Sequence, residues 1–177
     1  KSGTTMEILA KLRPAFRKEG GSVTAGNASG LNDGSAALLL ANEAGLTSSN
    51  LHPLAQIISS AVVGVEPRIM GIGPVRASEI ALQRAGITFD DLDVIELNEA
   101  FSAQALACIR SMNLADDDAR INPNGGGISI GHPLGVSGSR ILLAAARQLN
   151  RIGGKYALVT LCIGVGQGYA VVIKNAQ

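Results

Sequence analysis

The sequence predicts an α/β domain in which helices cover both faces of a mixed sheet of five strands. Apolar runs typical of buried strands alternate along the chain with segments whose apolar residues recur at helical spacing. The chain also ends on two apolar runs joined by the segment CIGVGQG, which is typical of an antiparallel hairpin with a wide glycine turn. Together these patterns favour a layered domain whose sheet mixes parallel and antiparallel strands.

Composition places the chain among globular proteins. Of its 177 residues, 46% are hydrophobic and 22 are glycine, which excludes disorder and suits a single core. The 15 basic and 14 acidic residues give a net charge of +1, so charge offers no reason to expect nucleic acid or a membrane as partner. No apolar run approaches the roughly 20 residues that span a bilayer. Two cysteines without CxxC spacing favour a reducing compartment, and we expect the cytoplasm.

The N-terminal part of the chain is predicted to be mostly irregular. A short helical pattern over residues 1–22 is interrupted by Pro14. The chain opens at Lys1 without an initiator methionine, as a piece of a longer protein does. The segment VTAGNASGLNDG over 23–34 contains almost only small or turn-forming residues, so we interpret it as a loop where backbone closely approaches a ligand or another backbone.

The remaining elements follow from apolar patterning and turn residues. Strands are predicted over 36–40, 56–65, 94–97, 156–161 and 169–173. Helices are predicted over 41–44 before Gly45, over 75–85 before Gly86, from an N-cap at Asn98 to residue 112, and over 137–149. The acidic run 116–118 is expected to form a solvated loop.

His132 is the first candidate for chemistry, because it lies in the sequence Gly131-His132-Pro133 within a glycine-rich segment. Proline holds the preceding residue extended and favours a helix start, so His132 is expected at or just before a helix N-terminus. The positive end of that helix disfavours the imidazolium, and a neutral imidazole can serve as a general base. The alternative is a histidine that only caps backbone groups. His52 also precedes a proline but lacks the glycines, and we interpret it as a loop histidine.

Cys162 is the second candidate, because it follows a predicted strand and opens a glycine-rich turn. A thiol there can act as nucleophile or proton donor beside unencumbered glycine N–H groups. From the residues alone, a small buried hydrophobic side chain is the favoured interpretation. Cys108, in a predicted helix with apolar neighbours, is interpreted as a core residue.

Asn98 and Glu99 follow a predicted strand at the kind of sheet edge where ligands commonly bind in α/β proteins. Asn98 can cap a helix and also use its amide in a site. Two other glycine patterns, over 71–77 and 164–168, fail the dinucleotide-binding fingerprint. The sequence has neither metal-ligand spacing nor a GxSxG nucleophile motif.

Four segments read together resemble the thiolases, the acyl-CoA acetyltransferases that cleave or condense acyl thioesters. They are VTAGNASGLNDG over 23–34, NEAF over 98–101, the glycine-rich GHP segment over 124–138 and CIGVGQG over 162–168, and they occur in the family's order. The resemblance implies that 1–30 ends the substrate loop region and that 31–177 forms the thiolase C-terminal domain. MGIGPV, DVIELNEAF, NPNG, GHPLG and CIGVGQG look most like the thiolases that cleave 3-oxoadipyl-CoA in aromatic-compound degradation.

The resemblance also implies roles for individual residues. His132 matches the base that activates a nucleophilic cysteine, and Cys162 matches the acid/base that exchanges a proton with the acetyl carbon or the CoA sulfur. Asn98 matches the residue that holds a water which, with His132, lines one oxyanion hole, while the N–H of Gly164 contributes to a second. The positions that match the lining of the pantetheine tunnel are Ala25, Ser29 and Phe101.

One feature of the family is missing. Thiolases accept the acyl group on a cysteine of their N-terminal half, and neither Cys108 nor Cys162 lies in that motif. We therefore expect a C-terminal part of a thiolase that is inactive alone and needs the missing N-terminal half, with acyl-CoA and CoA as substrates and no further cofactor or metal. Family resemblance suggests dimers or tetramers.

Two alternatives compete with a thiolase fragment. The first is a non-catalytic assembly module of thiolase fold. The second is a relative of the 3-oxoacyl synthases, which the sequence disfavours because those enzymes place a second histidine where Cys162 stands.

Overall fold

The computed structural model describes residues 3–177, so Lys1 and the start of the predicted 1–22 segment lie outside the described residues. The helices are α1 (Met6–Ala10), α2 (Glu43–Ser49), α3 (Gly73–Ala85), α4 (Ser102–Ser111), α5 (Gly127–Ile130) and α6 (Ser137–Ile152). Short 3₁₀ helices cover Pro67–Ile72 and Phe89–Asp91. The strands are β1 (Ala55–Gly64), β2 (Val94–Leu97), β3 (Tyr156–Ile163) and β4 (Gln167–Asn175).

The strands form one mixed sheet in the order β1-β4-β3-β2. β2 pairs in parallel with β3, while β4 runs antiparallel to both β3 and β1. This confirms the mixed α/β sheet and the closing hairpin, but the sheet has four strands within residues 3–177 rather than the expected five.

The predicted strand over 36–40 is the one that does not form. The segment joins no strand ladder within the described residues, and its apolar side chains face outward, with Leu39 81% and Leu40 71% exposed. An apolar run can predict an extended conformation, but a strand needs a neighbouring strand to pair with.

Helix α2 also differs from the prediction, because Asn42 Oδ1 accepts a hydrogen bond from the N–H of Gly45 at 2.9 Å. Gly45 therefore lies in the first helical turn instead of ending the helix.

Helices pack on both faces of the sheet, as expected. Alternate residues of β2 point to opposite faces, with Ile95 in the core beneath α3 and Val94 in the core beneath α6. In β3, Leu158 lies in the core beneath α3 and Ala157 lies in the core beneath α6. Each face therefore has its own apolar core, and α6 lies over the face to which Val94 and the other even-numbered residues of β2 point.

The ends of the helices and the final hairpin turn agree only in part with the sequence predictions. Gly86 ends α3 in the left-handed conformation with φ of 69°, as predicted. Asn98 does not cap α4, which begins at Ser102 after Phe101. The β3–β4 turn spans only residues 164–166, because β3 continues to Ile163 and β4 begins at Gln167. None of the helices within residues 3–177 is long and apolar enough to span a bilayer.

Candidate active site

The candidate site lies at the edge of the sheet where β2 and β3 end. These strands are parallel and in register, with Leu97 opposite Thr160, so their carboxyl ends meet at one edge. Asn98 directly follows β2, and its N–H donates to the carbonyl of Thr160 at 3.0 Å. Cys162 lies two residues further along β3, inside the strand rather than after it. The topology therefore places Asn98 and Cys162 at the same edge.

His132 reaches this edge from the glycine-rich loop between α5 and α6. Its backbone N–H donates to the carbonyl of Gly30 at 3.0 Å, which joins the loop to the small-residue segment 23–34. Its Nε2 lies 3.4 Å from Asn98 Nδ2, and its Nδ1 lies 2.6 Å from Ser137 Oγ. The imidazole is thus held between the end of β2 and the start of α6.

These two neighbours select the same tautomer of His132. The Ser137 hydroxyl donates to the carbonyl of Pro133 at 3.2 Å, so its oxygen is free to accept the Nδ1–H of the imidazole. The Asn98 amide nitrogen is a donor, so Nε2 is the acceptor. The neutral imidazole therefore carries its proton on Nδ1 and its lone pair on Nε2, the nitrogen beside Asn98.

The electrostatics of His132 favour the neutral form. Burial lowers the pKa of the imidazole, and the positive charge of Arg140 lowers it further. The sequence predicts instead that the positive end of the following helix disfavours the imidazolium of His132. His132 precedes α6 by five residues, and the turn of Pro133 to Val136 lies between them, so burial and Arg140 account for the shift.

Cys162 is held as a thiol. It is half-buried, and burial raises its pKa while its own backbone N–H opposes that rise more weakly. A protonated thiol at neutral pH can donate a proton to a developing carbanion or enolate. Gly164 follows at the exposed start of the turn with open space around it, so a ligand can approach its backbone.

The hairpin turn after Cys162 is fixed by contacts with neighbouring backbone. The carbonyl of Gly166 accepts from the N–H of Val65 at 2.8 Å. Gly168 packs so closely on the carbonyl of Gly73 that a side chain there has no room. Val165, at the tip, has φ of 62°, a conformation costly for a β-branched residue.

A polar network anchors the loop that carries His132. The carboxylate of Glu99 accepts from Asn122 Nδ2 at 2.7 Å and from the N–H of Ile128 at 3.2 Å. The Asn122 side chain also accepts from the N–H and donates to the carbonyl of Leu97, both at 2.9 Å. Gly126 abuts the Glu99 carboxylate with no space for a Cβ. The glycines of this loop therefore permit close docking onto the end of β2.

The segment with the predicted tunnel residues lies beside the same loops. The N–H of Ser29 donates to the carbonyl of Ala100 at 3.0 Å, and Phe101 pairs with Ala28 as an isolated β-bridge. Phe101 also makes an edge-to-face contact with Phe16 at 6.2 Å between ring centroids. Ala25 is exposed in the turn that precedes Ser29. The structure thus brings Ser29 and Phe101 together next to the segment that contacts His132.

The other histidine and the other cysteine have surroundings that do not suit catalysis. Cys108 is fully buried in α4, where its Sγ donates to the carbonyl of Gly71 at 3.1 Å. Cys108 is therefore a core residue, as predicted, and its burial raises the pKa of the thiol to about 11. His52 lies exposed in a loop.

Sequence reasoning missed Ser137 and Asn122, and it noted Glu99 without a function. Ser137 has no motif of its own, and only its spacing from His132 hints at a contact. Asn122, the first asparagine of NPNG, is polar and could be noticed in the sequence for that reason. Its hydrogen bonds to the backbone of Leu97 in β2 depend on tertiary structure and cannot be predicted from the sequence. Glu99 is marked by position, since it follows Asn98 at a strand end.

Two family models match the sequence of this chain. The sequence model described as "Thiolase, C-terminal domain" matches residues 51–175, and that described as "Thiolase, N-terminal domain" matches residues 1–44. The chain belongs to the thiolase family. The resemblance of its four motifs is therefore confirmed at the level of the family.

Similar thiolases are known from bacteria and human mitochondria. The chain is 57% identical over 175 residues to the beta-ketoadipyl-CoA thiolase of Acinetobacter baylyi, a match that covers 99% of the chain and 43% of that protein. It is 54% identical over 172 residues to the 3-oxoadipyl-CoA/3-oxo-5,6-dehydrosuberyl-CoA thiolase of Escherichia coli, covering 97% of the chain and 43% of that protein. The crystal structure of human mitochondrial 3-ketoacyl-CoA thiolase superposes with a TM-score of 0.95 at 50% identity, covering 100% of the chain and 44% of that structure. The chain thus spans less than half the length of these relatives.

Proposed function

We propose that this chain provides the His132–Cys162 part of the active site of a thiolase, which cleaves a 3-oxoacyl-CoA with CoA or catalyses the reverse condensation. The observation that carries the proposal is the placement of the His132 imidazole, with Nε2 beside Asn98 and Nδ1 beside Ser137, at the sheet edge where Cys162 lies near the end of β3. Cleavage of the bond between C2 and C3 of a 3-oxoacyl-CoA requires a base to activate the nucleophile and an acid to protonate the enolate, and these are the two groups at this edge.

In the first half of the reaction, His132 Nε2 takes the proton of an acyl-accepting cysteine, and the resulting thiolate attacks the 3-oxo carbon. The bond between C2 and C3 of the substrate breaks, which leaves the acyl group on that cysteine and an enolate of acetyl-CoA. The Cys162 thiol protonates the enolate carbon, so acetyl-CoA departs and Cys162 becomes a thiolate. Its burial-raised pKa makes Cys162 a group that holds its proton until a strong base develops.

In the second half, the Cys162 thiolate takes the proton of an incoming CoA thiol. The CoA thiolate attacks the acyl-cysteine, and the shortened acyl-CoA leaves as the protonated His132 returns its proton to the leaving cysteine. Both groups of this chain finish in their starting states. We assign Asn98, through a water, and the Gly164 N–H to stabilising the oxyanions, since Asn98 Nδ2 already points to Nε2 and Gly164 is open to a ligand.

The acyl-accepting cysteine is proposed to come from the rest of the enzyme. Cys108 is unsuited to that role, because it is buried, donates to Gly71 and holds its proton to a pKa of about 11. Cys162 is used as the acid. The surface available for the missing half is the segment 31–42, which we call the arm.

The arm supports docking of further chain. It is exposed along its whole length and carries Leu31, Leu39 and Leu40 with more than two-thirds of each side chain exposed. The match to the thiolase N-terminal domain covers residues 1–44 and therefore includes the arm. We infer that the arm pairs with the remainder of the N-terminal domain. The same exposure favours the alternative of a non-catalytic assembly module for the isolated chain.

We propose 3-oxoadipyl-CoA as the substrate class, because the segments that resemble that subgroup agree with the names of the Acinetobacter and Escherichia relatives. CoA then acts as co-substrate and no further cofactor takes part. The boundary between the loop region and the C-terminal domain at residue 30, cytoplasmic location and assembly into dimers or tetramers remain predictions.

The test uses the full-length enzyme that contains this chain, assayed for thiolysis of 3-oxoadipyl-CoA and of acetoacetyl-CoA. We expect His132→Ala and Cys162→Ala each to lower kcat by at least about a hundredfold, the contribution typical of an acid or base. His52→Ala and Cys108→Ser serve as matched controls with near-normal turnover. Normal turnover in either site variant contradicts the assignment of that residue, and thiolysis by the isolated chain contradicts the missing nucleophile.

A further inference from the structure

The loop that carries His132 is held at its start by a carboxylate from the end of β2. Glu99, the residue after Asn98, is half-buried, and its two oxygens accept separate hydrogen bonds. Oε1 accepts from Asn122 Nδ2 at 2.7 Å, and Oε2 accepts from the N–H of Ile128 at 3.2 Å. Ile128 lies in the first turn of α5, where N–H groups have no acceptor within the helix. Glu99 therefore caps α5 from outside the helix.

The short helix α5 passes this anchoring on to His132. The N–H of Ile130 donates to the carbonyl of Gly126, and the N–H of Gly131 donates to the carbonyl of Gly127, both at 3.0 Å. These two bonds close the helical turn that directly precedes His132. The backbone of His132 therefore moves with α5.

Two glycines bring α5 into close contact with the end of β2. A Cβ on Gly126 would collide with the carboxylate of Glu99, and a Cβ on Gly127 would lie 2.8 Å from the carbonyl oxygen of Glu99. The same Cβ on Gly127 would lie 3.6 Å from Asn98 Oδ1. A shift of α5 away from Glu99 therefore also separates the His132 loop from Asn98.

Asn98 keeps its place without the Glu99 carboxylate. The backbone N–H of Asn98 donates to the carbonyl of Thr160 at 3.0 Å, which ties it to β3. The His132 loop has a second anchor in the carbonyl of Gly30, which accepts from the N–H of His132 at 3.0 Å. Loss of the Glu99 carboxylate therefore leaves Asn98 fixed and weakens the attachment of His132 opposite to it.

We propose that Glu99 is a positioning residue, which holds the His132 loop so that Nε2 of the imidazole stays beside Asn98 Nδ2, at 3.4 Å. The inference rests on the proposed function of His132 as base. A base must lie within hydrogen-bond reach of the proton that it takes, and a displacement of about 1 Å can cost a hundredfold in rate. Glu99 acts through the loop rather than on the substrate.

The isosteric amide tests this role, because both oxygens of Glu99 are acceptors. Glu99→Gln keeps one accepting oxygen but turns an NH₂ group towards an N–H donor, so it loses one of the two bonds. In the full-length enzyme assayed for thiolysis of acetoacetyl-CoA, we expect kcat to fall about tenfold in Glu99→Gln and about a hundredfold in Glu99→Ala. KM should stay near its wild-type value, because the carboxylate binds the loop rather than the segment that contains Ser29.

Asp93 provides a matched control at the opposite end of the same strand. It directly precedes β2, and its Oδ2 accepts from the backbone N–H groups of Lys155 and Tyr156 at 2.6 and 3.2 Å. It is also a carboxylate with two N–H donors, but it lies at the amino ends of β2 and β3, away from the edge with His132. Asp93→Ala should lower the thermal stability and leave kcat unchanged. Equal loss of kcat in Asp93→Ala and Glu99→Ala overturns the proposal.

A double-mutant cycle shows whether Glu99 acts through the base. In the His132→Ala background, we expect Glu99→Ala to lower the residual kcat by less than about twofold, because no imidazole is left to position. A further loss of about a hundredfold in that background overturns the proposal, since a general structural role acts with or without His132.

Amide hydrogen exchange, followed by mass spectrometry, gives a readout that does not depend on activity. The peptide over 126–132 should exchange faster in both Glu99 variants than in the wild type, and at the wild-type rate in Asp93→Ala. Unchanged exchange in both Glu99 variants overturns the proposal. If Glu99→Ala fails to fold, kcat and exchange in Glu99→Gln decide.

The failure of this inference can be told apart from that of the proposed function. If His132→Ala keeps wild-type turnover, the proposed function fails, while hydrogen exchange still shows whether Glu99 holds the loop. If His132→Ala is inactive and both Glu99 variants keep wild-type kcat, only the positioning role of Glu99 fails.

Discussion

Removal of the Ser137 hydroxyl tests how His132 is oriented. The 2.6 Å contact between Ser137 Oγ and His132 Nδ1 gives the proton on Nδ1 its acceptor and leaves Nε2 as the base. Ser137 is 0% exposed, so bulk water cannot readily replace the hydroxyl in Ser137→Ala. One hydrogen bond of this kind contributes about 1–1.5 kcal/mol, and we therefore expect kcat to fall about tenfold. KM should stay unchanged, because Ser137 faces the far side of the imidazole from Asn98.

The assay is steady-state thiolysis of 3-oxoadipyl-CoA by the full-length enzyme, with thermal unfolding as a check on folding. Ser129→Ala is the matched control, because Ser129 lies in α5, directly before the loop that carries His132, and its hydroxyl donates to the carbonyl of Gly126 at 3.1 Å. Ser129→Ala should retain kcat. The reasoning is refuted if Ser137→Ala retains full kcat, or if the two alanine variants lose kcat equally.

Three further predictions concern stability, measured by urea or thermal unfolding of the full-length enzyme. Val165→Gly should stabilise by about 1 kcal/mol, because relief of φ of 62° outweighs the added chain entropy of glycine, and any loss of stability contradicts this. Gly168→Ala should cost more than about 2 kcal/mol, since its Cβ meets the carbonyl of Gly73, whereas Gly138→Ala, in open space, should cost nothing. Burial raises the pKa of Glu96 from 4.5 to about 7, so the folded state binds this proton more tightly than the unfolded state does. The free energy of unfolding should therefore fall as the pH rises from 4.5 through 7, and Glu96→Gln should remove that fall. Identical pH profiles for the wild type and Glu96→Gln would contradict this.

The parts of the fold that sequence patterning predicted are those determined by local burial or by a single turn residue. The strand Val94–Leu97 matches the prediction residue for residue, because four buried residues are bounded by turn segments. Gly86 ends α3 because glycine readily adopts positive φ. The strand over 36–40 was wrong because pairing is a non-local property that an apolar run does not encode.

The candidate site shows the same division between local and tertiary information. Motifs singled out His132, Cys162 and Asn98, and the structure places Asn98 against the imidazole. The helix expected directly after Asn98 begins at Ser102 instead. The tautomer of His132 depends on Ser137 and Asn98, and its lowered pKa depends first on burial and then on the charge of Arg140. All of these surroundings arise only in the folded chain.

The central claim is that Cys162 exchanges a proton with the acetyl carbon of the thioester. The most direct measurement is the incorporation of deuterium from heavy water into the methyl group of acetyl-CoA by the full-length enzyme, followed by mass spectrometry. The account predicts rapid incorporation by the wild type and by Cys108→Ser, and incorporation at least about a hundredfold slower by Cys162→Ala. Wild-type incorporation by Cys162→Ala would contradict the account.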